Sequence, residues 1–111
     1  MENKPVITYD DFSKMELKTG KVLEASAHPN ADKLLVLKVD VGDKQIQLVA
    51  GIKATYTPEA IVGKTVVVLT NLEPRLLRGV ESQGMVLAAT TPEGIRVLAV
   101  DGSSPAGCTI K

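Results

Sequence analysis

Aromatic and sulfur-bearing residues are scarce in this 111-residue chain: one cysteine, no tryptophan, one phenylalanine and two tyrosines. A single thiol, Cys108, excludes an intrachain disulfide and a cysteine-based metal site. With aromatics at 3%, the core must be aliphatic, built from Val, Leu, Ile and Ala. Net charge is lacking too, with 13 Lys and Arg against 13 Asp and Glu. Proteins that attract nucleic acid by bulk electrostatics are strongly basic. Any such binding here must rest on a local patch, be modest in affinity, and select shape or exposed bases. No apolar run is long enough to span a membrane. The opening, Met1 to Pro5, lacks the apolar stretch of a signal peptide, so a soluble cytoplasmic protein is expected.

What the chain does have is β-branched alternation punctuated by glycine and proline. Thr8 with Asp11 three positions on forms a capping-box pattern, predicting a short helix. Tyr9, Phe12 and Met15 share its face, which is expected to plug one end of the core. Leu17 to Ala27 reads as a strand, with Gly20 suited to a bulge or sharp bend. Pro29-Asn30 breaks it. Leu34 to Val41 is a strong strand with Leu35, Leu37, Val39 and Val41 on one face. Gly42-Asp43 turns the chain, and Gln45 to Ala50 alternates again. Thr57-Pro58-Glu59 starts a second short helix, which Gly63 ends. Lys64 to Thr70 reads as a buried strand, Asn71 to Gly84 as a polar connection, and Met85 to Thr90 as the next strand. Ile95 to Val100 pairs back across Pro92-Glu93-Gly94, and Cys108 to Ile110 is a final short strand. Three strands, a helix, two strands and extra C-terminal β-structure is the order of the OB-fold, a five-stranded Greek-key barrel. One domain over 1–111 is expected.

That order places two polar motifs together. The OB-fold binds ligands on its second and third strands, between the first-to-second and fourth-to-fifth strand loops. Those loops carry His28-Pro29-Asn30-Ala31-Asp32-Lys33 and Ser82-Gln83-Gly84-Met85. Asn30 can read a base edge or hold a turn, and Lys33 can meet a phosphate or simply be solvated. His28 is expected to pack beside Pro29, and Asp32 to orient Lys33 or hold a backbone amide. Arg75 and Arg78, with no acid between them, suit phosphate forks and base stacking. Ser82 and Gln83 offer hydrogen bonds to sugar, phosphate or base. Gly84 permits close backbone approach. Met85 is either core or an apolar contact at the rim. Lys33→Ala and Ser82→Ala are expected to weaken RNA binding without harming the fold. The exposed sheet-face candidates Lys38, Gln45 and Gln47 include no aromatic stacking platform. This disfavours a generic single-strand DNA binder and favours a folded RNA. No carboxylate pair, phosphate loop or His/Cys cluster indicates catalysis, a cofactor or a metal.

Several segments resemble a known tRNA-binding domain. They are Asp11-Phe12-Ser13-Lys14, His28 to Leu35, Val49-Ala50-Gly51-Ile52, Asn71 to Arg75 and Ser82 to Met85. This domain forms the C-terminal part of many bacterial methionyl-tRNA synthetases and also occurs free-standing and in cytokine precursors. The resemblance implies a non-catalytic OB-fold homodimer that binds tRNA by shape. Its binding positions match Asn30, Lys33, Ser82 and Met85, with Arg75 and Arg78 as phosphate contacts and Gln83 beside them. It gives the segments Ile95 to Val100 and Cys108 to Ile110 a part in the dimer. It leaves open whether the chain is free-standing or joined to a synthetase catalytic domain. One departure is Gln45-Ile46-Gln47-Leu48, where many relatives carry an arginine. The alternative is the related branch of dimeric, peptide-binding secretion chaperones.

Overall fold

The computed structural model describes residues 3–111; Met1 and Glu2 of the opening stretch lie outside the described residues. The hub is the long strand β1 (Leu17–Ala27). Its second half pairs antiparallel with β2 (Leu35–Asp40), which pairs with β3 (Gln45–Ala50) in unbroken register from Leu35↔Ala50 to Asp40↔Gln45. Its first half pairs with β4 (Thr65–Leu69), Leu17 opposite Leu69 and Lys21 opposite Thr65. Three short strands complete the middle of the chain: β5 (Arg75–Leu77), β6 (Val80–Ser82) and β7 (Met85–Val86), the last pairing with β4. The order β3-β2-β1-β4-β7 is that of a nearly closed OB-type barrel. A hairpin, β8 (Ala88–Thr91) with β9 (Gly94–Val97), follows, and β10 (Thr109–Ile110) returns to β1.

Alternation decides which side chains enter the barrel. On β2, Leu35, Leu37 and Val39 are buried while Lys38 is exposed. Val22, Ile46, Leu48, Val66, Val68 and Val86 join them in one aliphatic core. Each such side chain contributes roughly 1.5–3 kcal/mol on burial. The predicted aliphatic core, lacking any buried aromatic cluster, is what the structure contains.

Four local expectations are corrected. The first helix, α1 (Tyr9–Ser13), has its full capping box, Thr8 Oγ1 accepting from Asp11 N–H at 3.1 Å. It does not plug the core: none of its residues is buried, and Tyr9 is 72% exposed. A helix of five residues lies outside the barrel, tied down by Asn71. The Asn71 amide donates to Lys14 O (2.7 Å) and accepts from Glu16 N–H (2.8 Å). The plug is instead Ile61 of α2 (Pro58–Ile61), which is fully buried. Second, Gly20 is not the bulge; the register shifts between Val22 and Glu24. Gly20 is required by close packing, since a Cβ there would lie 2.6 Å from Val39 Cγ1 and 2.9 Å from Val68 Cγ2. Third, the stretch from Asn71 to Gly84 is no plain loop but contains the β5–β6 hairpin. Fourth, the expected strand from Met85 to Thr90 is divided at Leu87, whose N–H turns to Val67 O while its carbonyl accepts from Leu98 N–H.

Candidate nucleic-acid interface

Antiparallel pairing puts the β1–β2 loop, the end of β3 and the β5–β6 hairpin at one rim. The two loops do meet. The His28 ring spans them, with Nδ1 accepting from Asn30 N–H (2.9 Å) and Nε2 at 2.8 Å from Leu77 O. The Asn30 side-chain amide donates to Arg78 O at 3.2 Å. The hairpin turns at Arg78 (φ +54°) and Gly79 (φ +89°), two successive left-handed residues of the kind that match strand twist. His28 is thus buried, as expected, but as a cross-link and not simply as packing beside Pro29.

The rim's cations are exposed. Lys33, Arg75 and Arg78 take part in no ion pair among the described residues. Lys53 joins them, its N–H donating to Lys33 O at 3.4 Å and its side chain free of ion pairs in the same sense. The sequence reading overlooked Lys53. The signal was available: β3 runs antiparallel to β2, so residues just past Ala50 lie beside those just before Leu35. On the sheet face Lys38 is compensated by Glu24 at 3.9 Å, a surface pair of little energetic weight. A groove of about 470 Å³ runs between β1 and β3 here, lined by Glu24, Ser26, Val36, Lys38 and Gln47.

Ser82 and Gln83 are placed differently from expectation. Ser82 is buried, and its hydroxyl is engaged twice, accepting from Val49 N–H (3.0 Å) and donating to Gly84 O (3.0 Å). Gln83 forms a two-way pair with Gln47: its N–H donates to Gln47 O and its Oε1 accepts from Gln47 N–H, both at 2.8 Å. Gln47 Nε2 donates to Glu81 O at 2.7 Å. These bonds close the seam between β3 and the chain from β6 into β7. Side chains of the motif satisfy edge N–H groups that a longer final strand would otherwise pair. Ser82 is therefore not free to meet a ligand, and Ser82→Ala would not leave the fold untouched. Gly84 also serves the seam. A Cβ there would sit 2.6 Å from Leu69 O, so its close approach is to the protein's own backbone. Met85 is at the rim, half exposed, above a recess of about 100 Å³ shared with Leu72, Arg75 and Leu77. The resulting surface offers four cations in no ion pair among the described residues, the Asn30 amide and an apolar edge, with Glu73 lining the recess beside Arg75. Among the described residues no group of three or more His, Cys, Asp or Glu could hold a metal.

Residues 17–109 match the family described as "Putative tRNA binding domain". The chain belongs to this family. It is a non-catalytic module, and no synthetase catalytic domain is part of this chain. The domain is 50% identical over 105 residues to the methionine–tRNA ligase of Thermococcus kodakarensis, covering 95% of this chain and 14% of that protein. It is 51% identical over 104 residues to the corresponding ligase of Thermotoga maritima, covering 94% of this chain and 16% of that protein. The chain thus spans less than a fifth of these relatives. Among solved structures, a MetRS-related protein from Pyrococcus horikoshii superposes with a TM-score of 0.90 at 33% identity, covering 97% of this chain and all of that one. The CsaA chaperone protein of Picrophilus torridus superposes at 0.88 with 31% identity, covering 96% of this chain and all of that one.

Proposed function

We propose that this domain binds tRNA at the rim where the β1–β2 loop meets the β5–β6 hairpin. The observation that carries the proposal is the pair of cross-links, His28 to Leu77 and Asn30 to Arg78, which gather the cations of two distant segments onto one surface. Lys33, Lys53, Arg75 and Arg78 meet phosphates. The Asn30 side chain and the Met85 edge meet an exposed base or sugar, and Ser82 and Gln83 hold the seam beneath them. A surface of four cations in a chain without net charge selects a bent, compact RNA by shape, not by bulk attraction.

The chain acts as one domain and works as a homodimer in the cytoplasm, free-standing or alongside a methionyl-tRNA synthetase catalytic domain. Supporting the dimer, Val6, Ile7, Tyr9 and Leu98 are large apolar side chains left exposed. Two copies would present two rims, and weak sites held together bind one large RNA through effective concentration. No helix among the described residues is long and apolar enough to cross a membrane.

Gel retardation with bulk tRNA across a salt series tests the reading. Retention at low salt that falls steeply as salt rises is expected. Salt-insensitive peptide binding with no tRNA retention would favour a chaperone role, as the CsaA likeness suggests, and defeat the tRNA reading.

A further inference from the structure

We infer that His28 is a positioning residue for tRNA recognition, pinning the loop that bears Lys33 to the hairpin that bears Arg78; this rests on the tRNA-binding reading above. The ring's two nitrogens do different jobs. Nδ1 accepts from Asn30 N–H, so the proton of the neutral imidazole sits on Nε2 and is donated to Leu77 O. The first bond is local, two residues on, and an asparagine side chain would make it equally well in an Asx turn. The second reaches a segment far along the chain, and only a longer side chain with a donor at its far end can make it.

The hairpin needs this support. Among the described residues β5 and β6 form a sheet of their own, and an isolated two-stranded ribbon is marginal in water. Its β6 side is anchored to β3 through the Glu81 carbonyl and Ser82. Its turn, with Arg78, is held by His28 and by the exposed Asn30 amide. His28 is buried, with 5% of the residue exposed, so solvent has little access to the ring. Without the pin, the turn is held only by the exposed Asn30 amide, Arg78 is less well fixed, and binding must first order it. Affinity falls while the number of phosphates neutralised in the complex stays the same.

That distinction sets the experiment. His28 is the only histidine in the chain, so its nitrogen resonances are assigned without ambiguity. The neutral ring should carry its proton on Nε2. In the full chain, His28→Asn keeps the turn and severs the reach to Leu77. It should weaken bulk tRNA binding about fivefold to tenfold with an unchanged slope of log affinity against log salt. His28→Gln, which restores a donor near the Nε2 position, should bind within about twofold of the parent. Lys33→Ala is the contrast, lowering the slope by about one. A proton on Nδ1, parental affinity in His28→Asn, a reduced slope in that variant, or a His28→Gln variant no better than His28→Asn would each overturn the inference. If His28→Asn melts the barrel, His28→Gln and the tautomer decide it. A parent chain that fails to retain tRNA defeats the binding reading instead, while the resonances still report the cross-link.

Discussion

Single residues divide here into those that meet solvent and those that the barrel consumes. Lys33, Lys53, Arg75 and Arg78 are exposed and in no ion pair among the described residues, so they are available to phosphate. Replacing Lys33 or Arg78 by alanine should lower the salt slope of tRNA binding by about one and leave thermal stability nearly unchanged. Melting curves beside the binding series check both halves. Ser82 behaves oppositely. Its loss strands the Val49 N–H in a buried seam, which costs about 1–3 kcal/mol. Ser82→Ala should therefore lower the denaturant midpoint, and any loss of tRNA binding should follow from that. Normal stability in this variant would contradict the seam. Gly20 is set by packing: a methyl group between Val39 and Val68 overfills the interior, and Gly20→Ala should cost about 1–3 kcal/mol in the same denaturation assay.

At the scale of elements, the weak points are the hairpin and the seam. β2 and β3 are paired along their whole length, whereas β7 contributes two residues to the ladder. Much of the closure falls to Gln83 and Ser82. Hydrogen exchange should accordingly find the Gln83 N–H less protected than the amides of β2. Gly84→Ala, which drives a Cβ against Leu69 O, should speed exchange at Gln83 first. Uniform acceleration across β2 as well would mean that the seam opens only with global unfolding. The helix α1 is another separable element. It buries no residue, so its capping box and the Asn71 clamp fix where it sits without making it part of the core. Polar replacement of Ile7 and Tyr9 should leave the barrel's melting temperature within a few degrees while shifting the solution mass from dimer to monomer. Sedimentation reads that outcome, and a dimer that survives both changes removes the N-terminal face from the interface.

For the molecule as a whole, a balanced charge count coexists with a rim whose cations Lys33, Lys53, Arg75 and Arg78 take part in no ion pair among the described residues. The sequence by itself determined the strand order, the alternating aliphatic core and the end of the barrel at which the two motifs emerge. These are local or nearly local consequences. A side-chain period of two assigns each strand its inner face, and short turns and capped helices set how successive strands connect. Lys33, Arg75 and Arg78 were legible as rim residues for that reason, and Lys53 could have been. Tertiary structure decided what each polar side chain does once the barrel closes. Ser82 and Gln83 face the edge of β3, so they bond to it; Arg78-Gly79 turns a ribbon that composition alone presents as a loop; and α1 lies outside, clamped by Asn71, while Ile61 of α2 is buried in the core. Hydrogen-bond partners separated by thirty or more residues are selected by closure, and no local pattern encodes which buried donor a given hydroxyl, amide or imidazole will satisfy.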